Sequence, residues 1–335
     1  MFDMKNGEYI DKPGKGRVIV LATGGTIAGV GDDGKTAGYA PGALGVSELI
    51  KTVPQISSVA NIETIQVCNV NSDDITSDIW IGMARTINAL SKVPDVSGFV
   101  ITHGTDTLEE TAYFLNLTVR TEKPVVITGS MRPSTSISPD GPMNLYQAVS
   151  VACSPEARGH GVLVVFSDGI YAAGSVIKTS TYRVSAISAG YTGALGVIRD
   201  DRVFLYNTPD KIHTVNSGFD ISGISSLPRV PIIYFSVDAD PDMLRYAASR
   251  SDGIVIAGAG AGEFSGAFKE VIGSLSLPVV ISSRIDDGII IPENLLCKNT
   301  VASYNLSPQK AAILLRLALT KTKDREKIQE LFAKY

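Results

Sequence analysis

Residues 17–22 (RVIVLA) form a short run rich in β-branched side chains that stops at Gly24 and Gly25. A buried strand delivering its chain into a loop has this pattern. The same pattern recurs at residues 98–102 (GFVIT), 124–128 (PVVIT) and 161–167 (GVLVVFS). Between these runs, residues 78–90 and 108–117 space their apolar positions three and four apart, which predicts helices with one buried stripe. Strands alternating with helices predict a mostly parallel sheet covered on both faces. A second, smaller cycle follows: strands at 230–236, 253–257 and 277–282, and helices at 240–250 and near 266–272. A closing helix is expected over 308–321, with Ser307 as its cap and Pro308 in its first turn.

Residues 207–228 are rich in Ser, Gly, Asp and Pro and carry no sustained period, which places a domain junction there. The expected organisation is a larger N-terminal α/β domain over 1–213, a linker over 214–229, and a smaller C-terminal α/β domain with a parallel sheet over 230–335. A chain of 335 residues favours two cores over one.

Charge narrows the choice of partner. With 34 acids against 30 bases and no long run of either sign, no basic groove for a phosphate backbone is encoded, so nucleic acid is not an expected partner. The first residues hold an acid at position 3 and no apolar stretch of leader length, and nowhere do 18 apolar residues follow one another. Neither a leader nor a membrane span is predicted. Cys68, Cys153 and Cys297 are far apart, and His160 and His213 lie in turn-like sequence, so neither a disulfide framework nor a metal site is expected.

In open parallel sheets, ligands bind beyond the carboxyl ends of the strands. Three loops stand out: residues 23–29 (TGGTIAG), residues 102–107 (THGTDT), and the VIKT stretch carrying Lys178. The glycines of the first loop match neither GxGxxG nor a GK[ST] motif, which argues against a nucleotide. They suit instead a tight turn that projects the Thr26 hydroxyl, with bare N–H groups nearby for an oxyanion. A threonine nucleophile needs a base, and a lysine, a carboxylate or a tyrosine could serve. Lys178, Asp106 and Thr105 would supply such a cluster if the fold brings their loops together. A TD pair in a loop is also an ordinary turn or helix cap.

TGGTIAG over 23–29, GFVITHGTDTLEETAYFLNLT over 98–118 and MRPSTSISPDGPMNLYQAV over 131–149 resemble the bacterial L-asparaginases, type II and glutaminase-asparaginase branch. The resemblance runs from about residue 17 to the C-terminal residue. It implies hydrolysis of L-asparagine to L-aspartate and ammonia through an acyl-enzyme, without a cofactor, in a homotetramer built as a dimer of intimate dimers. Residue by residue, it implies that Thr26 is the nucleophile and that Tyr39 sits on a flap closing over the substrate. Thr105, Asp106 and Lys178 would form a second cluster that activates threonine and water. Asp106 would also hold the α-ammonium and Ser72 the α-carboxylate, with Gly25, Asp73 and Ser130 lining the substrate.

The flap reading has compositional support in the four glycines of residues 29–38. Several positions depart from the family's pattern. Asp73 replaces the longer glutamine or glutamate usual beside the serine. Ala261 and Glu263 replace the asparagine or serine that relatives send from a partner subunit, and residues 167–175 lack a common arginine. Glu293 is the candidate for an acid reaching across the dimer. The expected preference is for asparagine over glutamine, with comparable glutaminase activity as the alternative. A nonenzymatic amino-acid binding protein could use the same crevice but would have no use for Thr26, Thr105 and Lys178 together. The expected location is cytoplasmic; a periplasmic or secreted form is the alternative.

Overall fold

The computed structural model describes residues 9–10, 15–35, 38 and 42–335. It separates into two units, Met1–Gly223 and Ile224–Tyr335. The first is organised by a nine-stranded sheet. In chain order its strands are β1 (Tyr9–Ile10), β2 (Arg17–Gly24), β3 (Asn61–Val70), β4 (Val96–Thr102), β5 (Val125–Thr128), β6 (Val162–Phe166) and β7 (Gly169–Ala172). A separate ribbon pairs β8 (Ile177–Lys178) with β9 (Ile187–Ser188), after which β10 (Gly196–Arg199) and β11 (Arg202–Leu205) complete the large sheet. Its spatial order is β1-β3-β2-β4-β5-β6-β7-β10-β11.

The central strands β3, β2, β4, β5 and β6 are parallel. All of these except β3 are the apolar runs of the sequence, because both of their faces are covered. Val18, Val20 and Ala22 of β2 pack with Leu145, Ala148, Val149 and Ala152 of the covering helix in one cluster. The intervening Ile19 and Leu21 are also fully buried; by strand alternation they serve the opposite face. The helices of this unit are α1 (Val46–Lys51), α2 (Ile56–Val59), α3 (Ser77–Leu90), α4 (Leu108–Thr118) and α5 (Gly141–Cys153). Trp80 of α3 stacks on Phe114 of α4 at 5.2 Å between ring centroids.

The outer strands β1, β7, β10 and β11 pair antiparallel with their neighbours. The sequence pattern did not predict them. Ser167 and Asp168 adopt φ of 45° and 66° between β6 and β7, the left-handed pair of a two-residue hairpin built here without glycine at either position. β3 was missed as well: NIETIQVCNV mixes polar and apolar residues, because its later residues are only half buried.

Of the stretch expected to be a linker, residues 214–223 belong to the first unit. Phe219 and Ile221 are buried, and the Arg120 guanidinium donates to the carbonyls of Ser217 and Phe219.

The second unit holds four parallel strands, β12 (Ile232–Tyr234), β13 (Ile254–Gly258), β14 (Val279–Ser283) and β15 (Val301–Ala302), in sequential order. Its helices are α6 (Pro241–Ala248), α7 (Gly266–Ser274), α8 (Pro308–Leu319) and α9 (Arg325–Lys334). Each begins with a side-chain cap: Asp240, Ser265, Ser307 and Asp324 accept from backbone N–H groups of the first turn. The predicted closing helix ends at Leu319, and α9 follows as a second helix that the sequence pattern did not reveal.

Candidate active site

The site grows from three chain segments that leave the sheet on the same side, after β2, β3 and β4. Parallel neighbours must end together, so the loops that follow them are neighbours too. The Thr23 hydroxyl donates to the Thr102 carbonyl at 2.9 Å, tying the end of β2 to the end of β4. Gly24 and Gly25 then take φ of 106° and 77°. A Cβ on Gly25 would lie 2.4 Å from both Cα and N of Gly104, and one on Gly104 would lie 2.8 Å from the Ser72 side chain. These glycines allow the backbones before Thr26 and Thr105 to touch, with Ser72 against the same junction.

Thr26 opens a short helical turn, Thr26–Ala28, and is 7% exposed. Thr105 is buried as well, on the facing loop. Lys178, 73 residues further along, donates from Nζ to Thr105 Oγ1 at 2.8 Å and to Asp106 Oδ1 at 2.5 Å. The lysine side chain is 16% exposed and the aspartate 64%. The ammonium is therefore sheltered while the carboxylate reaches solvent. The cavity beside them is bordered by Asp106, Lys178, Thr179, Ser180 and Thr181. Lys178 sits in the small β8–β9 ribbon and not at the end of a sheet strand, and its backbone N–H donates to Glu109 Oε2 at 2.8 Å.

Ser72 starts a turn over Ser72–Asp74, and its carbonyl accepts from the Thr107 hydroxyl at 2.7 Å. Its own Oγ is buried and has no hydrogen-bond partner among the described residues. Such an atom costs stability unless a ligand satisfies it. Asp73 is exposed. Ser130 is fully buried and its hydroxyl donates to the Arg132 carbonyl at 2.9 Å, closing its own turn. Glu293, in the second unit, lies exposed in the turn Pro292–Asn294, and Ala261 and Glu263 are exposed as well. Tyr39 lies outside the described residues.

Behind the loops a buried polar chain fixes their path. The Trp80 indole donates to Thr111 Oγ1 at 2.8 Å, and Thr111 Oγ1 stands 2.9 Å from His103 Nε2. With the Thr111 hydroxyl donating, Nε2 accepts and Nδ1 carries the proton, which it donates to the Gly104 carbonyl at 2.7 Å. Burial pushes the His103 pKa down to about 4, so the ring stays neutral. Cys68, whose thiol burial raises to about 11, donates to the Thr23 carbonyl and is an inert packing group.

The loop over 131–136 has a structural task that sequence reasoning missed. Asp140 accepts from the backbone N–H groups of Met131 and Arg132 at 2.9 Å each. The loop so held bonds the glycine-rich segment: Ser134 Oγ donates to the Gly29 carbonyl, and Thr135 Oγ1 accepts from the Gly31 N–H. An aspartate directly before Gly-Pro at a helix start was the available signal. Among the described residues no group of three or more His, Cys, Asp or Glu is placed to hold a metal ion, and no helix is long and apolar enough to cross a membrane.

Two family models match most of the chain: "Asparaginase, N-terminal" over residues 17–211 and "Glutaminase/Asparaginase C-terminal domain" over residues 229–332. L-asparaginase 2 of Bacillus subtilis is 46% identical, covering 95% of this chain and 86% of that protein. Glutaminase-asparaginase of Acinetobacter glutaminasificans is 42% identical, covering 96% of this chain and 100% of that one. The crystal structure of a probable cytoplasmic L-asparaginase from Campylobacter jejuni superposes with a TM-score of 0.92 at 45% identity, covering 96% of this chain and 100% of its own. With the residues of TGGTIAG and HGTDT facing one another across the ends of β2 and β4, and both halves of the family matched, the chain belongs to the asparaginase family.

Proposed function

We propose that the chain is an amidohydrolase that converts L-asparagine to L-aspartate and ammonia, with Thr26 as nucleophile. In the first step Thr26 Oγ bonds to the side-chain carbonyl carbon, its proton passes to the departing nitrogen, and the C–N bond breaks to release ammonia. Water then adds to the ester, the C–Oγ bond breaks, aspartate leaves and Thr26 regains its proton. Lys178, held against Thr105, shuttles charge and proton for that chemistry, while Asp106 takes the α-ammonium and the unsatisfied Ser72 hydroxyl takes the α-carboxylate. Gly25 contributes backbone to the oxyanion site. Asp73, Ser130 and Glu293 are assigned supporting contacts, Glu293 from a partner subunit.

The observation that carries this reading is the Lys178 ammonium bonded at once to Thr105 and Asp106, on a loop whose backbone touches the one bearing Thr26. A binding protein would have no use for a half-buried lysine turned onto a threonine hydroxyl. Ammonia release by wild type, Thr26→Ala and Lys178→Met tests the proposal: turnover by wild type alone supports it, and turnover by Thr26→Ala overturns it.

Glutaminase activity of comparable size is the second reading, supported by the similarity to a relative named glutaminase-asparaginase. One methylene separates the substrates, a difference typically discriminated about 10- to 200-fold. Equal kcat/KM for the two amides would select the second reading.

A homotetramer is proposed on the strength of an exposed apolar face at the sheet's edge. Val197 and Phe204 stand opposite each other in the β10–β11 register, Tyr206 follows, and all are exposed. Light scattering on the eluted protein measures the assembly directly. A cytoplasmic location is supported by three free cysteines, which suit a reducing compartment. Cell fractionation distinguishes it from the periplasm, where a Haemophilus influenzae relative is named as residing.

A further inference from the structure

We propose that Glu109 is a positioning residue that sets the reach of Lys178, an inference that rests on the catalytic role assigned to that lysine above. Lys178 is gripped at both ends by one short stretch of chain. Thr105 and Asp106 take its ammonium at 2.8 and 2.5 Å, and Glu109 takes its backbone N–H at 2.8 Å. Residues 105 to 109 thus hold the lysine at main chain and side chain together.

The second grip is needed because of where Lys178 sits. Among the described residues, β8 is two residues long, lies outside the large sheet and pairs only with the equally short β9. A ribbon of that length has little stability of its own, and a lysine stem carries four rotatable carbons. Glu109 stands in the first turn of α4, where a carboxylate suits the helix dipole. That helix is among the most deeply buried parts of the unit, with Ala112, Tyr113, Phe114, Leu115 and Leu117 all inaccessible or nearly so. Glu109 is itself only 7% exposed, so its bond to the Lys178 N–H is shielded from water. It transmits the rigidity of a core helix to a ribbon that lacks it. The 69-residue separation between Glu109 and Lys178 makes this a tertiary clamp, not a local turn.

The test compares Glu109→Ala, Glu109→Asp and Glu109→Gln in the full chain, measuring kcat and KM for asparagine and the melting temperature of each. Glutamine keeps an acceptor for the N–H; aspartate retracts it by one methylene. Loosening the lysine by an ångström is expected to lower kcat about 10- to 100-fold with KM within a few-fold of wild type. Glu109→Ala should show that loss in full and Glu109→Asp in part, whereas Glu109→Gln should recover kcat to within a few-fold. The proposal is overturned if Glu109→Ala turns over at the wild-type rate despite a lowered melting temperature, or if Glu109→Gln is as impaired as alanine. Should Glu109→Ala not fold, the aspartate and glutamine variants decide it alone: equal kcat in the two overturns the clamp. Lys178→Met is the control. If that variant retains turnover, the role given to Lys178 fails, an outcome separable from any result at position 109.

Discussion

Gly25 meets Gly104 backbone to backbone, so closely that a methyl group on the first would lie 2.4 Å from Cα and N of the second. No rotation of a side chain relieves that overlap, because both partners are main chain. Gly25 also holds φ of 77°, a conformation that costs other residues about 1 kcal/mol or more. Gly25→Ala is therefore expected to destabilise the first unit and to push the Thr26 loop away from the Thr105 loop. Thermal unfolding should show a lowered midpoint, and ammonia release should fall by at least about 100-fold. Activity near the wild-type level would mean that the close approach of these loops is not required.

The Lys178–Asp106 ion pair invites a different expectation. Asp106 is largely exposed, and pairs of that kind contribute little to stability. Lys178→Met should leave the melting temperature almost unchanged while lowering turnover by about 100- to 10,000-fold, the range spanned by loss of a proton-transfer group. A fall in stability matching the fall in activity would mark the lysine as structural.

Ser72 makes the converse case. Its Oγ is buried without a hydrogen-bond partner among the described residues, so Ser72→Ala removes an unsatisfied group and should be neutral or slightly stabilising. The same substitution takes one donor from the substrate's carboxylate. Hydrogen bonds to charged groups contribute about 1.5–3 kcal/mol, so KM for asparagine should rise by roughly 10- to 150-fold. Unchanged KM would free Ser72 from the binding role.

The sequence made the loops after β2 and β4 legible because their glycines and hydroxyls interrupt apolar runs, and the parallel order of those runs placed both loops at one end of the sheet. Lys178 was readable as a candidate but not as a neighbour of Thr105, since nothing local encodes a contact across 73 residues. Glu109 was less visible still. An acid in a first helical turn is ordinary, and only the tertiary fold reveals that it holds a distant N–H. β3 escaped notice because its half-buried end keeps polar residues. The hairpin after β6 escaped because Ser167 and Asp168 take φ values usually signalled by glycine or asparagine.

Stability should also fall as the medium becomes acidic, and His103 supplies a definite part of that fall. The ring is fully buried and accepts at Nε2 from Thr111 while donating from Nδ1 to Gly104. Its folded pKa of about 4 lies below the ordinary 6.5. The unfolded chain therefore binds a proton that the folded one refuses. Its contribution is fully present above pH 6.5 and is lost as pH drops from there to about 4, below which it no longer changes. At about 1.4 kcal/mol per pH unit, the loss over that window is about 3 kcal/mol. His213, half-buried with its pKa also lowered, acts in the same direction. Denaturant unfolding of wild type and His103→Gln at pH 7 and pH 4.5 isolates the histidine's contribution: glutamine can accept from Thr111 and does not titrate. The variant should be less stable at pH 7 through imperfect packing, yet lose less stability on acidification. Parallel losses in the two proteins would show that His103 protonates as readily folded as unfolded.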